Sequence, residues 1–185
     1  MTTLTPTALH TTPPLVLRTA HAGDAEAIGA LIASLAPAFF VSPDGAGTAP
    51  FLASVSAAAE AGYLADPRYR FWLLTEGADG ADAPGGLAGF IASRDASHLF
   101  HLFVAPAWQG RGLARRLWQA MHDAAIDAGH RGGFTVNASL NAQPVYARFG
   151  FVPEGEVQRV HGVAYQPMRH PGPPGAGCDD AASST

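Results

Sequence analysis

A chain of 185 residues, 48% hydrophobic and only 14% charged, can bury one substantial core and is close to the usual size of a single domain. Its formal net charge of -4 at pH 7 leaves no basic face broad enough to follow a nucleic-acid backbone, so DNA and RNA are excluded as expected partners. The one cysteine, Cys178, lies in a Gly/Pro-rich tail, which rules out an intrachain disulfide or a Cys-based zinc site and fits a reducing cytoplasm.

Residues 1–13, rich in Thr and Pro, have neither a basic leader region nor an apolar stretch, and are expected to form a flexible tail. No later run reaches the roughly 18 apolar residues that a membrane span needs, so no membrane is expected. The domain proper is expected over 14–170, followed by a second flexible tail over 171–185, "PGPPGAGCDDAASST".

Within the domain, "LVLRTA" (15–20) reads as a strand, and "GDAEAIGALIASL" (23–35) as a helix starting at Asp24 with Ile28, Leu31, Ile32 and Leu35 on one face. Prolines and glycines break the pattern over 36–50, ahead of a second helix in "FLASVSAAAEAGYLA" (51–65). Three β-like runs follow closely, "RFWLLTE" (70–76), "GLAGFIASR" (86–94) and "SHLFHLFV" (97–104), and predict an antiparallel meander. "LARRLWQAMHDAAIDAG" (113–129) predicts an amphipathic helix with Leu113, Leu117, Ala120, Met121, Ala124 and Ala128 on its apolar stripe, ending at Gly129. A strand in "GFTVNASL" (133–140), a short helix in "AQPVYARFG" (142–150) and a hairpin from "EVQRVHG" and "VAYQPMRH" complete the chain.

Between the third β-run and the long helix lies "QGRGLA" (109–114). A dinucleotide fingerprint starting at Gly110 would need glycine where Arg115 stands, and no Walker-type G-x-x-x-x-G-K occurs here. What remains is a turn whose glycines let backbone N–H groups approach an anion, feeding the positive end of a helix that starts near Leu113. Arg111, Arg115 and Arg116 would strengthen such a cradle; alone, the same residues also describe a tight turn and a solvated charged face.

The run "LFVAPAWQGRGLARRLW" resembles the signature strand, Q/R-x-x-G-x-G/A loop and helix of the GNAT superfamily of acyl-CoA N-acyltransferases, with Gln109, Gly112 and Ala114 at the motif positions. "VNASLNAQPVYARFGF" (136–151) is similar to that family's next strand and short helix, and the similarity extends over roughly residues 15–169. The resemblance implies an α/β fold with a central mixed, mostly antiparallel sheet of about seven strands, flanked by helices, whose central strands splay apart.

It also implies a function: transfer of an acetyl group from acetyl-CoA to a primary amine by direct attack in a ternary complex. The pyrophosphate would rest on the N–H groups of Gln109, Gly110, Arg111, Gly112, Leu113 and Ala114, with Arg115 beside it, and the pantetheine arm would pair with the backbone of Leu102, Phe103 and Val104. Asn141 would hold the arm from the other side, and Tyr146 would meet the sulfur and protonate the departing thiolate. For the base that accepts the amine's proton, His98 and His101 are the candidates, with Asp95 behind them. Their spacing of three sets the two histidines on opposite faces of a regular strand, and only a bulge, common here in resembling proteins, would bring both to one site.

His122, His130, His161 and His170 lack ligand spacing, so no metal is expected. The acceptor, a small amine, an amino acid or a peptide N-terminus, would meet residues 36–68, where Asp44, Glu60 and Asp66 are the evident cation partners. The resemblance also admits a homodimer through the C-terminal strands. A non-catalytic acyl-CoA-binding module acting on a protein partner is the alternative reading of the same cradle.

Overall fold

A computed structural model describes residues 14–77 and 86–172; the residues expected to form the tails up to 13 and from 173, Cys178 and most of the turn between the first two meander strands lie outside them. The expected meander is present. Strands β1 (Leu15–Thr19), β2 (Tyr69–Glu76), β3 (Leu87–Arg94) and β4 (His98–Val104) pair antiparallel in that order. Strand β3 is central, and its residues 88–93 are all buried, which is why it reads as a continuous apolar run.

Helix α4 (Leu113–Asp127) then crosses over, so that β5 (Phe134–Ser139) lies parallel to β4. Antiparallel to β5 runs β8 (Val163–His170), which also pairs with the short β6 (Val152–Pro153) and β7 (Gln158–Val160). The sheet therefore has eight strands among the described residues, ordered β1-β2-β3-β4-β5-β8-β6 with β7 also on β8. The turn between β7 and β8 consists of His161 and Gly162, at φ +52° and +72°, the left-handed pair that a tight hairpin demands.

Each face of the sheet carries its own apolar layer. On one, Leu117, Trp118 and Met121 of α4 pack on Leu74, Ile91, Leu99, Phe134 and Val136. On the other, α1 (Ala25–Leu35) brings Ile28, Leu31 and Ile32 against Phe71, Leu73, Phe90 and Ala92. An 18-residue window over 22–39 is apolar enough by composition to cross a membrane, at a mean hydropathy of 1.2, but in this fold its apolar stripe covers the sheet.

Two sequence expectations need correction. The buried stripe of α4 is turned, with Trp118 and Ala125 in it and Ala128 exposed, because the bulky indole fills the space above Phe134 and Phe151. The helix expected over 51–65 is two helices, α2 (Ala49–Ser54) and α3 (Ala57–Ala65). The break falls at Ser56, whose hydroxyl accepts the N–H of Ala59 and so caps the start of α3. The expected central mixed, mostly antiparallel sheet of about seven strands is present, with eight strands among the described residues because the short β6 and β7 share β8 as partner.

Helix α3 sits unusually close to α1. A Cβ built on Gly29 would come within 2.8 Å of the Ala57 backbone nitrogen, so only glycine permits this crossing. The approach seats the middle of α3 over the sheet, with Glu60 fully buried.

Candidate functional site

Strands β4 and β5 pair only at His98↔Thr135 and Leu99↔Val136. Beyond Leu99 they part, although both continue, to Val104 and Ser139. The edge of β4 that faces β5 is thus open from Phe100 onward, including Leu102 and Phe103, both half-buried. Because the two strands are parallel, the segments that leave their C-terminal ends emerge at the same end of the sheet, the usual position of a ligand site in such topologies. One segment is the glycine loop leading to α4; the other carries Asn141 and the short helix α5 (Gln143–Ala147) with Tyr146.

The loop is built for close approach. Gly110 and Gly112 have φ of +74° and +77°, and a Cβ added to either would meet no atom within 4 Å. The first bond of the helix runs from the Arg116 N–H to the Gly112 carbonyl at 3.1 Å, so the N–H groups of Gly112, Leu113, Ala114 and Arg115 have no helical acceptor. Gln109 serves the loop itself: its side-chain amide donates to the Val104 carbonyl at 3.0 Å and its backbone N–H to the Pro106 carbonyl at 3.3 Å. The open donors therefore begin at Gly110.

The arginines have local duties. The Arg111 guanidinium stands over the Trp108 ring at 4.9 Å, Arg115 donates to the Arg148 carbonyl at 3.1 Å, and Arg116 donates to the Leu15 carbonyl at 3.3 Å. Each contact uses one part of a fork with five N–H donors, and all three residues are exposed. On the β5 side, the Ser139 hydroxyl donates to Asn141 Oδ1 at 2.7 Å. Tyr146 is buried beside Phe149 and Phe151, and burial pushes its hydroxyl well above the usual tyrosine range, so the phenol stays protonated.

The bulge that the histidines require is present. Opposite β3, His101 pairs with Ala92 and Leu99 with Ser93, leaving Phe100 as the extra residue. His98 and His101 consequently face Arg94 and Ala92, two residues apart on β3, and share one side of the sheet. Asp95 is exposed, in the turn just before β4 and beside Arg94 at 3.6 Å.

Their surroundings differ. His98 Nδ1 lies 2.9 Å from Thr135 Oγ1, tying β4 to β5 at the foot of the opening. Burial, reinforced by the Arg94 charge and outweighing the attraction of Asp95, pulls His98 down to about 4. His101 is 8% exposed, two residues past the last β4–β5 pair, and its Nε2 is 3.1 Å from Glu60 Oε1. Four phenylalanines, Phe71, Phe90, Phe100 and Phe103, surround its ring at centroid distances of 4.1 to 6.5 Å.

Glu60 does not lie where a cation partner for the acceptor was expected. It was expected as an accessible cation partner, yet it is 0% exposed and bound to a strand histidine 41 residues away. The available signal was its position on α3, three and four residues before Tyr63 and Leu64, which pack on the same core. Of the other two acids, Asp66 pairs with Arg68 at 2.7 Å and Asp44 accepts from the Ser42 hydroxyl at 2.6 Å. The 36–48 segment is fastened to the β7–β8 hairpin by a bridge between Phe40 and Val163 and by the Val41 N–H donating to Gly162 at 2.8 Å. Among the described residues, no three His, Cys, Asp or Glu side chains gather as metal ligands would.

The depressed His98 makes stability depend on pH with a definite sign. An unfolded histidine binds a proton below about pH 6.5, while folded His98 does so only near 4, so the folded chain loses stability as pH falls between these values. His98→Gln should remove about 1–2 kcal/mol of this acid sensitivity, the full shift being discounted for the solvent that His98 still meets. Urea unfolding of both proteins at pH 7 and pH 4.5 measures it; an unchanged difference between the two pH values would refute it.

The model of the acetyltransferase (GNAT) domain matches residues 40–170. Among solved structures, the chain is similar to a GCN5-related N-acetyltransferase from Rhodopseudomonas palustris, at 23% identity and a TM-score of 0.64, over 90% of this chain and 99% of that one. It is similar to the PaiA N-acetyltransferase of Thermoplasma acidophilum in complex with coenzyme A, at 13% identity and a TM-score of 0.62, over 85% of this chain and 99% of that one. A third likeness is to spermidine N-acetyltransferase from Vibrio cholerae in complex with CoA and spermine, at 19% identity and a TM-score of 0.57, over 85% and 95% of the two chains. No curated protein matches the chain by sequence. At these identities the three structures speak for a shared fold.

Proposed function

The chain belongs to the acetyltransferase (GNAT) domain family, and from that premise we propose that it transfers the acetyl group of acetyl-CoA to a primary amine by direct attack within a ternary complex. The observation that carries this reading is the opening of the sheet immediately after Leu99 and Val136, with free helix-start N–H groups following one strand and Tyr146 following the other. An extended amide chain such as pantetheine can pair with the open edge of β4, and a pyrophosphate suits the donors from Gly110 to Arg115.

The chemistry then divides among few groups. The amine nitrogen attacks the thioester carbonyl carbon, the C–S bond breaks, one proton leaves the amine and one goes to the sulfur. His101 takes the first: it lies two residues past the point where β4 and β5 part and has a carboxylate beside it, whereas His98, near 4, is a feeble base already engaged with Thr135. Tyr146 gives the second, since a buried phenol that remains protonated can donate as thiolate charge develops, and it regains its proton from solvent once CoA has left. Residues 36–48 and α3 form the side on which the acceptor enters, and a small amine, an amino acid or a peptide N-terminus each supplies the required nucleophile.

Calorimetric titration tests the cradle and thiol release tests the chemistry. Acetyl-CoA and CoA should both bind, ATP should not at equal concentration, and free thiol should appear only when a suitable primary amine is added. A folded protein that ignores both acetyl-CoA and CoA would overturn the reading.

A further inference from the structure

We propose that Glu60 is a positioning residue for the transfer: its buried carboxylate accepts the Nε2–H of His101 and thereby leaves Nδ1 as the lone pair that receives the amine's proton. The inference rests on His101 being the base, as argued above. Its own support is the environment of the Glu60 carboxylate.

Helix α3 is otherwise composed of Ala, Gly, Tyr and Leu, and its fourth residue is a carboxylic acid with no exposed surface. Burying a carboxylate is costly unless it is paired and fully hydrogen-bonded, and an apolar residue of similar size generally serves a core better. Glu60 meets only part of that condition. Oε1 has His101 Nε2 at 3.1 Å, while Oε2 is the one buried side-chain polar atom without a hydrogen-bond partner among the described residues. Structural polar networks are normally satisfied, and the exceptions concentrate where a group has work to do.

The histidine is correspondingly constrained. Ring contacts with Phe71, Phe90, Phe100 and Phe103 restrict its orientation, and the bond to Glu60 engages one of its two nitrogens. A carboxylate at Nε2 selects the tautomer protonated there, so Nδ1 is basic. When the proton moves from the amine nitrogen to Nδ1, the imidazolium would stand among aromatic rings with Glu60 as its ion-pair partner at 3.1 Å. The proton leaves Nδ1 for solvent after the acetylated amine departs. The unpartnered Oε2 leaves the carboxylate's charge undivided and available to His101 alone.

The experiment compares wild type, Glu60→Gln, His101→Ala and the double variant in the full chain. Glu60→Gln should lower kcat about 100-fold or more, by the logic of a carboxylate that orients a catalytic histidine, and leave the KM for acetyl-CoA within about twofold. The acidic limb of its pH–rate profile should move to lower pH, because His101 loses the negative neighbour that favours its charged form. In the His101→Ala background the same substitution should cost less than about twofold, since the two residues act as a unit. Nitrogen-15 spectra of the wild type should report His101 protonated at Nε2 and bare at Nδ1, a readout that needs neither turnover nor a folded variant.

Near-normal kcat and an unmoved profile in Glu60→Gln, with His101→Ala inactive, would make Glu60 purely structural. The opposite tautomer in the wild type would also overturn the proposal. Near-normal turnover by His101→Ala would instead show that the base itself was misassigned, and the role of Glu60 would fall with it.

Discussion

Gly112→Val is expected to weaken acetyl-CoA binding at least 100-fold while the domain stays folded. Gly112 holds φ at +77° directly before α4, and a Cβ there would project into space with no protein atom within 4 Å. The fold therefore meets no clash, only the cost of a left-handed backbone in a β-branched residue, about 1–3 kcal/mol against a domain stability on the order of 5–15 kcal/mol. The ligand meets much more. Valine would occupy the space through which a phosphate reaches the N–H groups of Gly112 to Arg115, and losing two charge-assisted hydrogen bonds costs about 3–6 kcal/mol. That corresponds to a factor of roughly 100 to 10,000 in Kd. Calorimetry with acetyl-CoA, alongside circular dichroism, reads both halves; unchanged affinity in a folded variant would remove the cradle.

Tyr146→Phe separates chemistry from binding. Its ring contacts with Phe149 and Phe151, at 6.2 and 5.8 Å, survive the substitution, so folding should change by less than about 1 kcal/mol. Only the hydroxyl is lost. If that hydroxyl protonates the leaving thiolate, kcat should fall about 100- to 1,000-fold while acetyl-CoA affinity stays within about threefold. The raised pKa adds a second expectation: the wild type should show no alkaline fall in rate from this group below about pH 10. Equal turnover in the two proteins would remove Tyr146 from the reaction.

Much of this site could be read in the sequence because its parts are local. A positive φ before a helix calls for glycine, and the spacing of Gly110 and Gly112 ahead of an amphipathic run states that requirement within a few consecutive residues. The apolar stretches of β2 and β3, each bounded by turn residues, likewise read as neighbouring strands with both faces covered, so the meander could be inferred. The break at Ser56 was legible in principle as a helix cap, but alanine-rich flanks with strong helix propensity masked it.

The arrangement proposed for catalysis is another matter. His98 and His101 are three apart, and nothing in their neighbourhood announces that Phe100 will be skipped in the pairing with β3; that choice is made by cross-strand packing. Glu60 read as a surface acid because charge normally stays in water, and only the close crossing of α1 and α3 at Gly29 carries it onto the strand histidine. Propensity, caps and backbone conformation depend on neighbours along the chain, so the sequence by itself determined the elements, the glycine loop and the family. Which side of the sheet a histidine faces, and whether a carboxylate lies in solvent or in the core, depends on contacts tens of residues apart, and those only the tertiary structure decided.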